Sequence, residues 1–210
     1  MTLGLKVEAF CPGPPAANTY VVYDETSGDC LVVDPGPRAD SLRFITGRGL
    51  RCLVVINTHG HYNHIAGNDT FKTLFGCSIA LNERDHELVC GPGAFLVSSL
   101  ALGAESPVPD LPARDGDRLR AGSLVAEVMH AGVHTPGSII CCVAGGRRDF
   151  LFTGDILFAD GWGSSTDPDA GMRRAVWERV SGWPSEALVM PGHGPAVTVV
   201  KLREVIGAHV

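Results

Sequence analysis

Hydrophobic positions along this chain fall in short runs separated by glycine-rich turns. TYVVYD (19–24) and CLVVD (30–34) lie on either side of the turn-prone TSGD and predict a β-hairpin. PGPRADSLRFITGRG then predicts a helix stopped by glycine. LRCLVVIN (50–57) is almost continuously apolar and β-branched, the signature of a strand buried on both faces. IAGNDTFKTLFG predicts a helix, CSIALN a strand and ERDHELVCG a second short helix. Residues 91–117 hold several prolines and glycines with little periodicity, so a partly helical excursion that could shape a pocket mouth is expected there. From Arg118 onward the β pattern returns in SLVAEVMHA, SIICCVAGG and DFLFTGD, with GGRR as a hairpin turn. A helix over 171–182, a last strand in EALVMPG and a closing helix in VVKLREVIGAHV complete the pattern. Strand-rich halves that each end in helices predict two packed sheets with helices outside. No repeat or linker divides the chain, which predicts one domain over residues 1–210.

With 210 residues and 45% hydrophobic positions, the chain has enough material for a substantial core. A formal net charge of −6 without a basic run argues against nucleic acid or an anionic membrane as partner, so a small-molecule substrate is expected. The N-terminus lacks the charged-then-apolar pattern of a signal peptide, and no apolar run approaches the ~20 residues that span a bilayer, so a cytoplasmic location is expected. Seven scattered cysteines without CxxC spacing predict reduced, mostly buried thiols.

The polar residues carry the chemistry. In THGHYNH (58–64), His59 and His61 can converge from a tight turn after a strand, and His64 can turn back from the start of the next helix. His134 lies in HTPGS, Asp155 ends LFTGD and His193 lies in PGHG. Each segment follows one plan, an apolar strand and then a glycine-rich turn bearing His or Asp. Strand ends meet at one edge of a sheet, so these side chains should meet too. Imidazole and carboxylate ligands suit zinc and also accept iron or manganese. His86, His130 and His209 lack this setting and are expected to be solvated.

In that order and at those separations, the four motifs resemble the metallo-β-lactamase superfamily, and HTPGS with PGHG resembles its glyoxalase II (hydroxyacylglutathione hydrolase-like) branch. The resemblance runs from NTYVV and VVDPG to PGHGP. It implies an α+β fold, a four-layer αββα sandwich with metal at one edge of the two sheets. Carried over by motif, His59, His61 and His134 hold a first ion, Asp155 bridges, and His64 and His193 hold a second. Asn63 stands where the family's THxHxDH has Asp. An amide oxygen can coordinate a hard cation, but it brings no charge and accepts no proton. One tightly held zinc is therefore expected, with a second ion weak or absent; the alternative is Asn63 as a neutral ligand in a two-metal site.

A zinc-bound water ionises near pH ~7, and the metal polarises a carbonyl. The resemblance thus implies a metal-dependent hydrolase acting on a thioester or related activated acyl compound, with Asn63 and Asp155 as the catalytic candidates. Two departures weaken a match to glutathione thioesters. The long C-terminal helical extension is missing, and the Arg-containing GRTD-like turn is replaced by WGSSTD. Lys201 and Arg203 could supply anion recognition or be plain surface charges on the last helix; Trp162 and Tyr62 fit the pocket mouth or simple packing. A mono-iron persulfide dioxygenase using His59, His134 and Asp155 is the first alternative, and a non-catalytic metal-binding protein is another. A β-lactamase proper fits less well.

Overall fold

The computed structural model describes residues 4–13, 16–91, 106–164 and 170–207. Two six-stranded sheets carry the chain. The first has the order β1 (Leu5–Phe10), β2 (Thr19–Asp24), β3 (Asp29–Val33), β4 (Arg51–Ile56), β5 (Ser78–Leu81) and β6 (Leu111–Pro112). The second is arranged as β14 (Val197–Thr198), β13 (Leu188–Pro191), β10 (Asp149–Gly154), β9 (Ile139–Ala144), β8 (Leu124–His130) and β7 (Arg118–Ala121). A small ribbon pairs β11 (Leu157–Phe158) with β12 (Gly161–Trp162). The expected β2–β3 and β9–β10 hairpins form in antiparallel register. The pattern did not foresee the edge strand β1, and β13 is followed by the two-residue β14.

Strand alternation explains why the sheets stack and why both need helical cover. Tyr20 and Val22, Leu31 and Val33, and Val54 and Ile56 face one way and meet Ile139, Cys141, Val143 and Phe152 of the other sheet in a shared core. The opposite faces are equally apolar. Val21, Cys30, Val32 and Val55 are covered by Ile45 of α1 (Asp40–Arg48) and Phe71 of α3 (Asn68–Phe75). Ile140, Leu151 and Val189 are covered by Val176 and Val180 of α5 (Ala170–Ser181) and by Leu202 and Ile206 of α6 (Val199–Ile206). The result is the expected αββα sandwich. Each fully buried Ile or Leu in these layers is worth about 2–5 kcal/mol against truncation to alanine.

Between these elements, α2 (Tyr62–Ile65) opens directly from the histidine turn, and a 3₁₀ turn (Glu83–Asp85) leads into α4 (His86–Cys90). The helix expected from Ile65 starts at Asn68, because Ala66 and Gly67 close α2 first. Most of the 91–117 excursion lies outside the described residues, as do residues 165–167 of WGSSTD. Among the described residues no helix is long and apolar enough to cross a membrane. All seven cysteines are free, five of them buried.

β3, β4 and β5 run parallel in the first sheet. In the second, β10 and β13 are parallel, and β8 shares their direction because each of β8 and β10 is antiparallel to β9. The loops after β4, β8, β10 and β13 carry the candidate residues. Ile139 N donates to the Thr58 carbonyl over 2.9 Å, tying the two sheets together beside these loops.

Candidate metal centre

His59, His61 and His134 come together as the sequence pattern anticipated. His59 Nε2 lies 3.0 Å from His61 Nδ1 and 3.2 Å from His134 Nε2, and the last two atoms are 3.0 Å apart. The hydrogen bonds on the far sides of the rings fix what these nitrogens present. His134 Nδ1 meets the Ser164 carbonyl at 2.8 Å; a carbonyl only accepts, so Nδ1 carries the proton and Nε2 a lone pair. Thr58 Oγ1 donates to Asp34 Oδ2 over 2.7 Å, which leaves it to accept from His59 Nδ1 at 3.1 Å. His59 Nε2 is therefore also a lone pair. Lone pairs crowded this closely repel unless a cation lies between them. Nitrogens bonded to one tetrahedral ion at ~2.0–2.1 Å sit roughly 3.3–3.4 Å apart, close to the spacing seen, so the residues fit a metal. Burial, reinforced by the neighbouring imidazoles, pushes the His59 pKa well below its ordinary value, and burial lowers that of His61. Both rings are thus held neutral, the form that ligates. His134 adopts φ +79°, unusual for a residue with a Cβ and the kind of local strain found at functional sites.

A second set of donors adjoins the first. His59, His64 and Asp155 also lie within reach of a common ion. His64 Nε2 and Asp155 Oδ1 are buried without a hydrogen-bond partner and stand 3.5 Å apart. His193 Nε2 is 3.7 Å from Asp155 Oδ2. Gly192 is required here, since a Cβ would fall against Asp155 Oδ1 and His64 Cε1. Burial works against a charge on His64, but Asp34 and Asp155 on either side outweigh it and raise its pKa to about 9. Burial likewise opposes the Asp155 charge, yet His64, His193 and His134 hold its pKa below the usual carboxylate value. Without a cation at this position, His64 itself carries the positive charge between two carboxylates. A cation there must displace the Nε2 proton.

Asn63 is half-buried, and its Nδ2 donates to His193 Nε2 over 3.1 Å. The amide hydrogen thus occupies the His193 lone pair that a second ion would need. An Asp in its place would leave that lone pair free and add a charge.

Several residues that build the centre escaped the sequence pattern. Asp34 accepts from Thr58 N at 2.7 Å and from the Thr58 hydroxyl and His64 Nδ1, orienting both donor sets at once. Asn18 pins the PGHG turn: its backbone N donates to the Gly192 carbonyl over 2.7 Å, and its Nδ2 donates to the carbonyls of Pro191 and Gly194. The signals were the strand-end Asp of VVDPG and the hydroxyl adjoining His59, both short-range cues to capping and second-layer roles.

Other residues singled out in the sequence have settings of their own. The Arg203 guanidinium donates to the carbonyls of Ser181 and Trp183 and to Ser185 Oγ, and Lys201 Nζ pairs with Glu204 at 2.7 Å on the exposed side of the last helix. Trp162 packs on the outer core under the Arg173 guanidinium, 5.6 Å from its ring centre. Tyr62 is half-buried at the start of α2. His130 Nε2 bonds the Pro136 carbonyl, His86 begins α4, and His209 lies outside the described residues. Beside His193 opens a cavity of about 480 Å³, lined by Phe158, Ala159, Asp160, His193, Gly194 and Pro195.

Converging imidazoles and a carboxylate at one edge of an αββα sandwich define a protein built around a candidate metal centre. The chain belongs to the metallo-beta-lactamase superfamily, whose family profile it matches over residues 12–193. It is 30% identical over 194 residues to an uncharacterized protein of Aquifex aeolicus, spanning 91% of this chain and 90% of that one. The human mitochondrial persulfide dioxygenase ETHE1 is 30% identical over 183 residues, or 83% of this chain and 63% of its own. The hydroxyacylglutathione hydrolase of Rhodospirillum rubrum is 30% identical over 175 residues, or 83% of this chain and 60% of its own. Among solved structures, TTHA1623 in a di-iron-bound form superposes with a TM-score of 0.77 at 28% identity, covering 94% of this chain and 96% of that one. The BLEG-1 B3 metallo-beta-lactamase shares the fold, with a TM-score of 0.83 at 24% identity over 95% of this chain and 97% of its own.

Proposed function

We propose that the protein is a metal-dependent hydrolase of a thioester or related activated acyl compound, of glyoxalase II type, with zinc as the expected ion. The observation that carries this reading is the convergence of His59 Nε2, His61 Nδ1 and His134 Nε2, with lone pairs on the first and last, beside Asp155 Oδ1, which has no hydrogen-bond partner. A divalent cation held there supplies Lewis acidity to a carbonyl and acidifies water. The chain's own residues do the rest. Asp155 offers a carboxylate oxygen to a water proton, and the Asn63 amide, which accepts no proton, only orients. The cavity beside His193 takes the acyl chain against Phe158 and Pro195. Water oxygen adds to the carbonyl carbon, the C–S bond breaks, and a carboxylic acid and a thiol leave. The relative from Rhodospirillum rubrum supports a thioester, whereas the cavity lining, which among the described residues contains Asp160 and no lysine or arginine, does not favour the anionic ends of glutathione.

A second reading has its own support. With His193 engaged by Asn63, the donors left include His59, His134 and Asp155, the two-histidine, one-carboxylate set suited to a single iron. The 30% identity to human persulfide dioxygenase points the same way.

One set of assays separates the readings. The protein should hydrolyse S-acyl glutathione or S-acyl N-acetylcysteamine at neutral pH, lose the activity on chelation and recover it with zinc or manganese. Activity surviving verified metal removal contradicts the hydrolase mechanism. Oxygen uptake on glutathione persulfide by iron-loaded protein, with no thioester cleavage, would favour the dioxygenase.

A further inference from the structure

Asp85 ends the 3₁₀ turn and is fully buried. Its Oδ2 accepts from Gly60 N at 2.9 Å and from Thr135 Oγ1 at 2.7 Å, and its Oδ1 accepts from Gly137 N at 2.7 Å. Gly60 lies between His59 and His61, while Thr135 and Gly137 follow His134. One carboxylate therefore grips both loops that bring nitrogens to the first donor set, one from each sheet, without touching a ligand ring itself. The glycines of the two motifs follow from this grip. A Cβ on Gly137 would stand 2.6 Å from Asp85 Cγ, and one on Gly60 would stand 2.8 Å from Leu88 Cβ and 3.1 Å from the Asp85 carbonyl oxygen.

The turn that carries Asp85 is itself fixed. Asn82 Oδ1 accepts from Arg84 N at 3.1 Å, the Asn82 carbonyl accepts from Asp85 N at 3.0 Å, and Asn82 Nδ2 donates to the Ala113 carbonyl at 2.8 Å. All three donors to the carboxylate are neutral, and among the described residues no lysine, arginine or histidine forms an ion pair with it. A fully buried carboxylate without a counter-ion is costly, and such charges are ordinarily paired or face a metal.

We propose that Asp85 is a positioning residue for the first metal site: it sets the gap between the His59–His61 turn and the His134 turn, and its uncompensated charge strengthens the attraction for a dication. This rests on the reading of His59, His61 and His134 as ligands. The hydrogen bonds make the substitution Asp85→Asn informative. An amide nitrogen in either orientation faces a backbone N–H, of Gly60 or of Gly137, so one donor loses its partner and the charge is gone while the shape is kept.

Cobalt(II) titration of the metal-free protein, followed by visible absorption, tests the proposal. Outer-layer partners of metal ligands are typically worth 10–100-fold in affinity. Asp85→Asn should weaken the first cobalt by about that factor and alter its ligand-field bands, while Glu87→Gln, an exposed substitution on the next helix, should leave both unchanged. Thr135→Val removes one donor and keeps the carboxylate; it should fold and give a smaller weakening in the same direction, and it decides the matter should Asp85→Asn fail to fold. Wild-type affinity and spectrum in the folded Asp85→Asn variant, or in Thr135→Val if that is the only folded one, overturn the proposal. Wild-type protein that binds no cobalt would instead remove the metal site itself, and the proposal with it.

Discussion

Asp34 Oδ2 accepts the Nδ1 proton of His64 over 2.9 Å, in a contact where both side chains are almost wholly buried. The same carboxylate holds Thr58 by its backbone N and its hydroxyl, and Thr58 in turn meets His59 Nδ1. Asp34 itself sits at φ +51°, held by its donors in a conformation it would not choose alone. Asp34→Asn should therefore loosen both donor sets. Metal retained after dialysis against a weak chelator should fall at least tenfold in affinity. Unchanged retention would show that the rings are oriented without it.

The charge on His64 gives the metal-free protein a pH signature. Its folded pKa of about 9 exceeds the ordinary 6.5, so its stabilisation is complete below pH 6.5 and is lost as the pH rises through 9. The amount is on the order of 3 kcal/mol. His59 and His61 are shifted the other way, so their contribution is present above pH 6.5 and is lost on acidification. Urea unfolding of metal-free protein should show stability falling on both sides of neutrality. The difference between wild type and His64→Gln should shrink between pH 7 and 10. A constant difference across that range would place the charge elsewhere.

The first donor set depends on few imidazoles, so each is expected to be indispensable. His59→Ala or His134→Ala should remove most bound metal, measured by elemental analysis of the purified protein. Full stoichiometry in both variants would mean that the ion sits somewhere else.

Much of this was legible in the sequence because strand ends and glycine turns are local features. The apolar runs of β2, β3, β4, β9 and β10 announced buried strands, and the turns after β4, β8, β10 and β13 placed His59, His61, His64, His134, Asp155 and His193 at one edge. Local pattern fails where a role is set by distant partners. Asp85 lies 50 residues from Thr135 in the chain, and Asn18 lies 173 from Pro191, so neither role has a short-range signature. The same holds for Asn63. Its departure from the family motif was visible, but its hydrogen bond to His193, 130 residues away, was not. Lys201 and Arg203 illustrate the complementary point: positive charge in a sequence does not reveal which neighbours it meets in the fold, here Glu204 for Lys201 and the Ser181 and Trp183 carbonyls for Arg203.

The central claim is that Asn63, by donating to His193 and bringing no charge, leaves one tight metal site and a weakened second. Asn63→Asp is nearly isosteric; it frees the His193 lone pair and adds a carboxylate next to Asp155 and His64. Calorimetric titration of metal-free wild type and Asn63→Asp with zinc, side by side, tests this most directly. The account predicts one tight ion in the wild type, with a second bound far more weakly or not at all, and two tight ions in the variant. Identical tight binding of two ions by both proteins would contradict it.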